Sequence, residues 1–352
     1  MIKIVTQSSQ RISQSSLSFF ALKDASLHGV KTKNSFIKKY NSIVFVEEPK
    51  IFNKSEIPTN SKKNLVTFMF KIYFCYMKSI INFNGNLVDL STPKIMGILN
   101  VTPDSFSDGG QFNNKKNALK QVEKMLSEGA TFIDIGAQST RPQAEFISAK
   151  EEMLRLGNLI SMIKKEFPES LISLDTFYSE VVKFGFNEGI DLVNDISGGD
   201  FDEDLLETTA QTGLPYILMH SNSSYQKMHE KIEYNDIMVS LNTYFSEKIQ
   251  KLYGWGIKDI ILDPGFGFGK TIEQQHQMIE ESEYLGFGKH PLLIGVSRKS
   301  FIYKPLGKSP LEINEETQKI HRKVLEKGAK ILRVHEVRSA KETITEFLAH
   351  RN

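Results

Sequence analysis

Polar residues that can bind a ligand or ionise stand at the ends of eight short apolar runs in this sequence. Carboxylates, amides and cations all occur among them. A ligand that uses all three kinds of group has both a hydrogen-bonding heterocycle and an anionic group. Any one of these residues could be a helix cap or a turn former, but a polar residue at every end is harder to explain in that way. The residues are Asn100, Asp134, Asp175, Asn194, Asp195, His220, Asp263, Ser297, Arg298, Lys299, Arg333 and His335.

The stretch DPGFGFGK, residues 263–270, has the composition of a phosphate-binding loop but not its spacing. A P-loop needs four residues between its first glycine and the Gly-Lys pair. Here only three residues separate Gly265 from Gly269. The glycine spacing is G-x-G-x-G, so it does not match the dinucleotide-binding pattern G-x-G-x-x-G either. The spacing excludes an ATP-binding P-loop. The glycines therefore serve another purpose.

A unit of helical pattern, glycine and short apolar run recurs along the chain after about residue 83. Each glycine stands where a helix would end, a position that favours a residue with positive φ. The nearly continuous apolar runs are typical of strands buried on both faces, as in parallel sheets. The glycines are Gly129, Gly189, Gly213, Gly256 and Gly328.

Three further apolar runs, at 94–100, 170–175 and 291–297, bring the predicted strands to eight. Amphipathic helical stretches, such as 117–128 and 150–167, lie between them. This alternation favours an α/β fold of the (β/α)8 TIM barrel type, in which active-site groups lie at the carboxyl ends of the strands. A doubly wound open sheet is the alternative, but it would normally carry a nucleotide fingerprint after its first strand.

The first 76 residues differ in charge from the rest of the chain. They hold 12 Lys and Arg against 4 Asp and Glu, whereas the remainder holds 32 against 38. We predict a basic N-terminal extension over 1–76, disordered or irregular, followed by a barrel domain over 77–352. Three origins are open for the extension: a disordered tail, translation from a start upstream of a natural start at Met77, or organellar targeting. Targeting is weakened because Arg11 is the only arginine in it.

The composition also restricts the compartment and the partners. The single Cys75 excludes an internal disulfide framework and fits a reducing compartment, so we expect a cytoplasmic location. The sequence has no CxxC or HExxH motif of a classical zinc site. The acidic balance of 77–352 disfavours nucleic-acid binding, and the apolar stretch 65–77 is too short to span a bilayer. We therefore expect neither a nucleic-acid nor a membrane partner.

The chain from about Phe83 to Leu348 resembles the dihydropteroate synthase family of pterin-binding (β/α)8 enzymes. Segments similar to both long signatures of that family are IMGILNVTPDSFSDGG at 95–110 and GATFIDIGAQSTRPQA at 129–144. SLDT, NDISGG, DPGFGFGK, SRKS and RVH follow in the family's order. The resemblance implies a transferase of folate biosynthesis. It would join (7,8-dihydropterin-6-yl)methyl diphosphate to 4-aminobenzoate, with Mg²⁺ assisting, and release dihydropteroate and diphosphate.

The resemblance also implies roles for individual residues. Catalysis is expected of Asp175, Lys299 and Arg333, with Asp175 stabilising a pterin-methyl cation. Pterin diphosphate is expected to contact Thr140, Asp175, Asn194, Asp263, Phe268, Lys299, Arg333 and His335. The 4-aminobenzoate pocket is expected to comprise Phe106, Thr140, Arg141, Pro142 and Ser300. Asn100 is expected to bind Mg²⁺, and sulfonamides are expected to compete as mimics of aminobenzoate.

Two other functions are weighed against this one. A methyl-pterin methyltransferase would share the pterin contacts but is expected to lack TPDSFSDGG and SRKS, both of which are present. A catalytically inactive pterin-binding paralogue would show a broken anion or metal site, whereas Asn100, Lys299, Arg333 and His335 are all in place. A homodimer is left open, because the segment 313–329, which helps to form the dimer in the family, is unusually charged here.

Overall fold

The structure of the chain is a computed structural model. It describes residues 2–3, 45–46, 80–101, 110–139, 145–221 and 225–350, of which 2–3, 45–46 and 110–114 are described as backbone only. Contacts divide the chain into two units, Met1–Tyr73 and Phe74–Asn352. In the first unit, β1 (Ile2–Lys3) pairs antiparallel with β2 (Phe45–Val46). The rest of the predicted extension over 1–76 lies outside the described residues.

The second unit contains the predicted barrel. An antiparallel hairpin of β3 (Ile80–Phe83) and β4 (Asn86–Asp89) precedes eight parallel strands. The eight are β5 (Lys94–Asn100), β6 (Phe132–Gly136), β7 (Leu171–Asp175), β8 (Leu192–Asp195), β9 (Tyr216–Met219), β10 (Ile260–Asp263), β11 (Leu293–Ile294) and β12 (Ile331–Val334). They pair in the order β10-β9-β8-β7-β6-β5-β12-β11. A parallel bridge between Leu262 and Leu292 joins the two ends of this order, so the (β/α)8 barrel is confirmed.

Helices follow the strands around the barrel. They are α1 (Gly110–Ser127), α2 (Ala149–Leu156), α3 (Leu159–Glu166), α4 (Ser179–Glu188), α5 (Leu205–Thr212), α6 (Ile237–Trp255), α7 (Ile272–Glu280), a 3-10 helix (Ser282–Gly288), α8 (Ser300–Tyr303), α9 (Asn314–Glu326) and α10 (Val337–Ala349). The five glycines of the repeated unit all have positive φ, between 69° and 104°. Their predicted place at helix ends is therefore confirmed. Over the described residues, no helix has both the length and the apolar character needed to cross a membrane.

Two local predictions differ from the structure. The stretch 150–167 is two helices, because Gly157 between α2 and α3 has φ 50° and ψ −127°, which glycine adopts far more readily than other residues. The amphipathic period continues through this glycine, so the period alone does not reveal the break. The run 291–297 is strand only at Leu293–Ile294, although Leu292 makes the closing bridge.

A layer of apolar side chains closes the amino-terminal end of the barrel. Each of the eight strands contributes one buried residue to it, and the hairpin and its exit contribute Ile81, Phe83 and Leu90. The eight are Met96, Phe132, Leu171, Leu192, Ile217, Ile261, Leu293 and Ile331. Phe83 is fully buried, with its ring centroid 5.0 Å from that of Phe132. The hairpin, which the sequence did not predict, thus plugs this end of the barrel with apolar side chains.

We expect Phe83→Ala to lower the free energy of unfolding by about 3 to 5 kcal/mol, because it leaves a cavity in this layer. Leu87→Ala is the matched control on the same hairpin, since Leu87 is 68% exposed. It should change the free energy by less than about 0.5 kcal/mol. Urea unfolding followed by circular dichroism measures both. If Phe83→Ala lowers the free energy of unfolding as little as Leu87→Ala does, the hairpin does not form part of the core.

Candidate functional site

Four neighbouring strands bring a residue at or next to their carboxyl end to one level of the barrel. Asn100, Gly136, Asp175 and Asn194 are successive partners in register from β5 to β8. A Cβ atom added at Gly136 would lie 3.3 Å from the Cβ of Asp175, which is closer than side chains normally pack. Glycine at this position therefore leaves the space that the Asp175 carboxylate occupies.

Arg333 joins two carboxylates inside the barrel. Its Nε donates to Asp134 Oδ2 over 2.6 Å, and its Nη2 donates to Asp175 Oδ2 over 2.8 Å. Asp134 is fully buried and also accepts hydrogen bonds from Asn194 Nδ2 over 3.2 Å. Burial lowers the pKa of Arg333, but Asp134 and Asp175 outweigh it and raise that pKa above its ordinary value. The guanidinium is therefore a permanent cation between the two acids.

One cavity beside this network gathers most of the predicted site residues that the structure describes. Six of them line it: Asp175, Asn194, Asp263, Phe268, Lys299 and Arg333. The remaining walls are largely apolar or backbone, from Ile196, Met219, Gly265, Phe266 and Gly295. Convergent charged and amide groups beside two phenylalanines and a methionine suit a flat, polar-edged ligand.

Two groups in the cavity have perturbed acidity. Burial raises the pKa of Asp175 to about 7, with Arg333 opposing the rise and Asp134 adding to it. Burial, followed by the nearby charge of Arg333, lowers the pKa of Lys299 to about 8. The Lys299 ammonium lies 4.6 Å from the centroid of the Phe268 ring. Since both groups change charge near neutral pH, they are well suited to a reacting site.

The glycine-rich loop after β10 turns against the end of β9. Asp263 ends β10, and its Oδ1 accepts the N–H of Gly265 over 2.7 Å. Gly265 has φ 70°, and a Cβ atom there would overlap the carbonyl oxygen of His220. Phe268 is buried and stacks on His229, with their centroids 5.3 Å apart. The loop thus holds Asp263 and presents Phe268 as a wall of the cavity.

Three predicted residues are described but do not line the cavity. His335 follows β12, and its Nδ1 lies 3.0 Å from Ser297 Oγ. Ser300 begins α8 directly after Lys299, and Asn100 is exposed at the end of β5. The other predicted residues, Phe106, Thr140, Arg141 and Pro142, lie outside the described residues.

The pairing of Asp134 with Arg333 was not predicted from the sequence. The available signal was a charged residue inside the apolar run FIDIG, because a buried charge needs partners. Two polar residues next to predicted site residues, Arg298 beside Lys299 and Asp195 beside Asn194, bind structural partners and do not line the cavity. Arg298 pairs with Glu336, and Asp195 accepts hydrogen bonds from the turn at 197–199.

Glu152 on α2 is a buried acid that no motif singled out. It is fully buried, and neither carboxyl oxygen has a hydrogen-bond partner among the described residues. Burial raises its pKa to about 8; Thr176 opposes the rise, Asp175 adds to it, and Arg155 opposes it. The side chain is therefore neutral in the folded protein at pH 7.

Comparisons with known proteins agree on one family. The family model described as "Pterin binding enzyme" matches residues 96–335. The dihydropteroate synthase of a Synechocystis species is 43% identical over 249 residues, which cover 69% of this chain and 85% of that protein. The structure of the Yersinia pestis dihydropteroate synthase with a sulfonamide drug is 38% identical, with a TM-score of 0.72 over 77% of this chain and 99% of that one. The structure of the Xanthomonas albilineans dihydropteroate synthase with 4-aminobenzoic acid is 30% identical, with a TM-score of 0.72 over 78% of this chain and 98% of that one.

The pKa of Glu152 predicts how stability depends on pH. Between pH 4.5 and 8 the folded chain keeps this proton while the unfolded chain has lost it, so the free energy of unfolding falls as pH rises. Glu152→Gln removes this contribution. The free energy of unfolding of the variant minus that of the wild type should grow across this range by up to about 1.4 kcal/mol per pH unit.

Urea unfolding at pH 5, 6.5 and 8 measures this difference. Glu151→Gln is the matched control, since its carboxylate is 42% exposed and binds Arg155 at the surface. Its difference from the wild type should stay nearly constant with pH. A constant difference for Glu152→Gln as well would show that Glu152 is already ionised in the folded protein.

Proposed function

Since this chain belongs to the dihydropteroate synthase family, we propose that it joins (7,8-dihydropterin-6-yl)methyl diphosphate to 4-aminobenzoate in folate biosynthesis, releasing dihydropteroate and diphosphate. The observation that carries the proposal is the cavity in which Asp175, Asn194 and Asp263 meet Lys299 and Arg333. Carboxylate and amide acceptors match the N–H edge of a pterin, and the two cations match a diphosphate.

The pterin edge would be bound by two side chains whose orientation is already set, those of Asn194 and Asp263. Asn194 turns Nδ2 towards Asp134, so its Oδ1 is the atom left to accept an N–H of the ring. Asp263 holds the Gly265 N–H on Oδ1, which leaves Oδ2 to accept another. Phe268 and Met219 would contact the faces of the ring, and Lys299 would reach its carbonyl oxygen. Substrate then meets acceptors that need little rearrangement.

In the reaction, the bond from the pterin methylene carbon to oxygen breaks and its electron pair leaves with the diphosphate. The amine of 4-aminobenzoate then gives its lone pair to that carbon and loses a proton. When both acids are ionised, Asp134, Arg333 and Asp175 together carry one net negative charge, which faces the developing pterin-methyl cation. A carboxylate at about 4 Å stabilises such a cation by about 4 kcal/mol at an effective dielectric of about 20, or about a thousandfold in rate. This stabilisation appears only as the charge develops, so it lowers the barrier.

The departing diphosphate would meet Arg333 and His335 at the carboxyl end of β12, and Mg²⁺ bound through Asn100. The amide oxygen of Asn100 is a hard donor of the kind that Mg²⁺ prefers, and it is exposed on the same level of the barrel as Asp175. Among the described residues no group of three or more His, Cys, Asp or Glu could hold a metal ion. Mg²⁺ would therefore depend on substrate phosphates and water for most of its ligands, and when bound it would neutralise charge on the leaving group.

The 4-aminobenzoate would bind at the rim of the cavity. Ser300 is the described member of the predicted pocket and directly follows Lys299. A Xanthomonas relative was solved with 4-aminobenzoic acid and a Yersinia relative with a sulfonamide drug, which supports the same ligand classes here. Phe106, Thr140, Arg141 and Pro142 would complete the pocket.

We further propose a cytoplasmic location, supported by the single cysteine, and a homodimer as in the family pattern. Cell fractionation tests the first, and light scattering of the purified chain tests the second. A monomer at micromolar concentration, or a protein confined to an organelle, would contradict them.

Asp175→Asn in the full chain should lower the rate of diphosphate release about a thousandfold, because it removes the carboxylate that stabilises the cation. The assay contains the pterin diphosphate, Mg²⁺ and 4-aminobenzoate. Asp200→Asn is the control, since this carboxylate is 39% exposed and pairs with Lys248 outside the cavity. If the wild type binds the pterin but releases no diphosphate, the chain is a pterin-binding protein without synthase activity.

The value of kcat/KM for 4-aminobenzoate, measured with saturating pterin diphosphate, should follow a bell-shaped curve in pH. It falls below about pH 7 as Asp175 gains a proton, and above about pH 8 as Lys299 loses one. Lys299→Arg keeps the positive charge, so the alkaline fall should move up by more than about two pH units. Steady-state rates from pH 5.5 to 10 test this. Ionisation of the substrate affects both enzymes alike, so an unmoved alkaline limb in the variant would rule out Lys299 as its source.

A further inference from the structure

Lys270 has an unusual environment for a lysine, because it is buried and all of its hydrogen-bond acceptors are backbone carbonyls. The residue is 6% exposed. Its Nζ donates to the carbonyl oxygens of Gly265 and Phe268 over 3.0 Å each, and lies 3.4 Å from that of His220. Burying an ammonium is costly unless its donors are used. Three converging carbonyls are therefore a site built for this cation.

The three carbonyls belong to two different parts of the site. His220 directly follows β9, whereas Gly265 and Phe268 lie in the glycine-rich loop after β10. Phe266 and Phe268 of the loop pack in buried clusters, and polar contacts fix the glycine backbone between them. Gln275 on α7 is the second such contact, since its Oε1 accepts the N–H of Gly267 over 2.8 Å. Lys270 is the contact that ties the loop to β9.

Both ends of this stretch carry groups that line the cavity. The N–H of Gly265 holds the Asp263 carboxylate, and Phe268 lies against Lys299. Lys270 itself is not among the residues that line the cavity. A change at Lys270 would therefore reach a ligand indirectly, through the loop residues Gly265 and Phe268 and through Asp263.

We propose that Lys270 is a positioning residue for pterin binding, whose ammonium fixes the loop at 265–268 so that Asp263 and Phe268 face the ring. The inference rests on the proposed function and adds to it a residue that does not touch the substrate. Burial lowers the pKa of Lys270 to about 7, while Asp263 opposes that fall and Lys299 adds to it. The cation thus depends on the same acid that it helps to place.

The test compares Lys270→Met with the wild type in direct binding of the dihydropterin diphosphate by calorimetry, with thermal melting to verify folding. Methionine has a similar length and no donors. We expect the Kd for the pterin to rise about 10- to 100-fold, as expected for losing hydrogen bonds to a charged group. The KM for 4-aminobenzoate should change by less than about threefold. Lys248→Met is the matched control, because Lys248 also donates to a backbone carbonyl, that of Gly198 over 3.0 Å, but away from the cavity.

A double-mutant cycle with Phe268→Ala separates positioning from general destabilisation. If Lys270 acts through the loop, Lys270→Met should weaken pterin binding by a smaller factor in the Phe268→Ala background than in the wild type, because only the part that acts through Asp263 is left. If Lys270→Met does not fold, Lys270→Gln, which keeps two N–H donors, replaces it in the same cycle.

Each outcome decides the proposal. Pterin affinity unchanged in a folded Lys270 variant, or effects that simply add to those of Phe268→Ala, would overturn it. A wild type that neither binds the pterin nor releases diphosphate would instead overturn the proposed function, and this inference with it.

Discussion

The pairing of Arg333 with Asp134 and Asp175 is the interaction on which the rest of the site depends. Two carboxylates in the interior of a barrel would repel each other and lose their hydration, and one cation between them offsets both costs. Asn194 completes the arrangement by donating to Asp134. The network leaves Asp175 as the acid whose charge is incompletely balanced, and that acid lines the cavity.

The barrel can carry this charge because its two ends are built differently. At the amino-terminal end, one apolar residue from each strand packs against the β3–β4 hairpin, and that layer supplies hydrophobic burial without polar groups. At the other end, the register of β5 to β8 places residues at or next to the strand ends side by side. Stability and chemistry are thereby assigned to opposite ends of the same strands.

The barrel could be predicted from sequence because its signals are local. A glycine after a helix and a buried apolar run can each be recognised within about ten residues. The strand-end position of Asp175, Asn194 and Asp263 follows from the same runs. The partner of Asp134 could not be found in this way, since Arg333 is 199 residues away along the chain. The break at Gly157 was missed for another reason, because a backbone turn can leave the apolar period intact.

Gly136 shows how a residue can be constrained by its neighbour alone. It contributes no side chain to the site, yet even a methyl group there would come within 3.3 Å of the Cβ of Asp175 on the next strand. A larger residue at this position would force the Asp175 side chain to move by a few tenths of an ångström, and it would therefore act on the site through its neighbour. Where related sequences keep glycine here, that glycine reflects the space required by the adjacent acid and not a contact with a ligand.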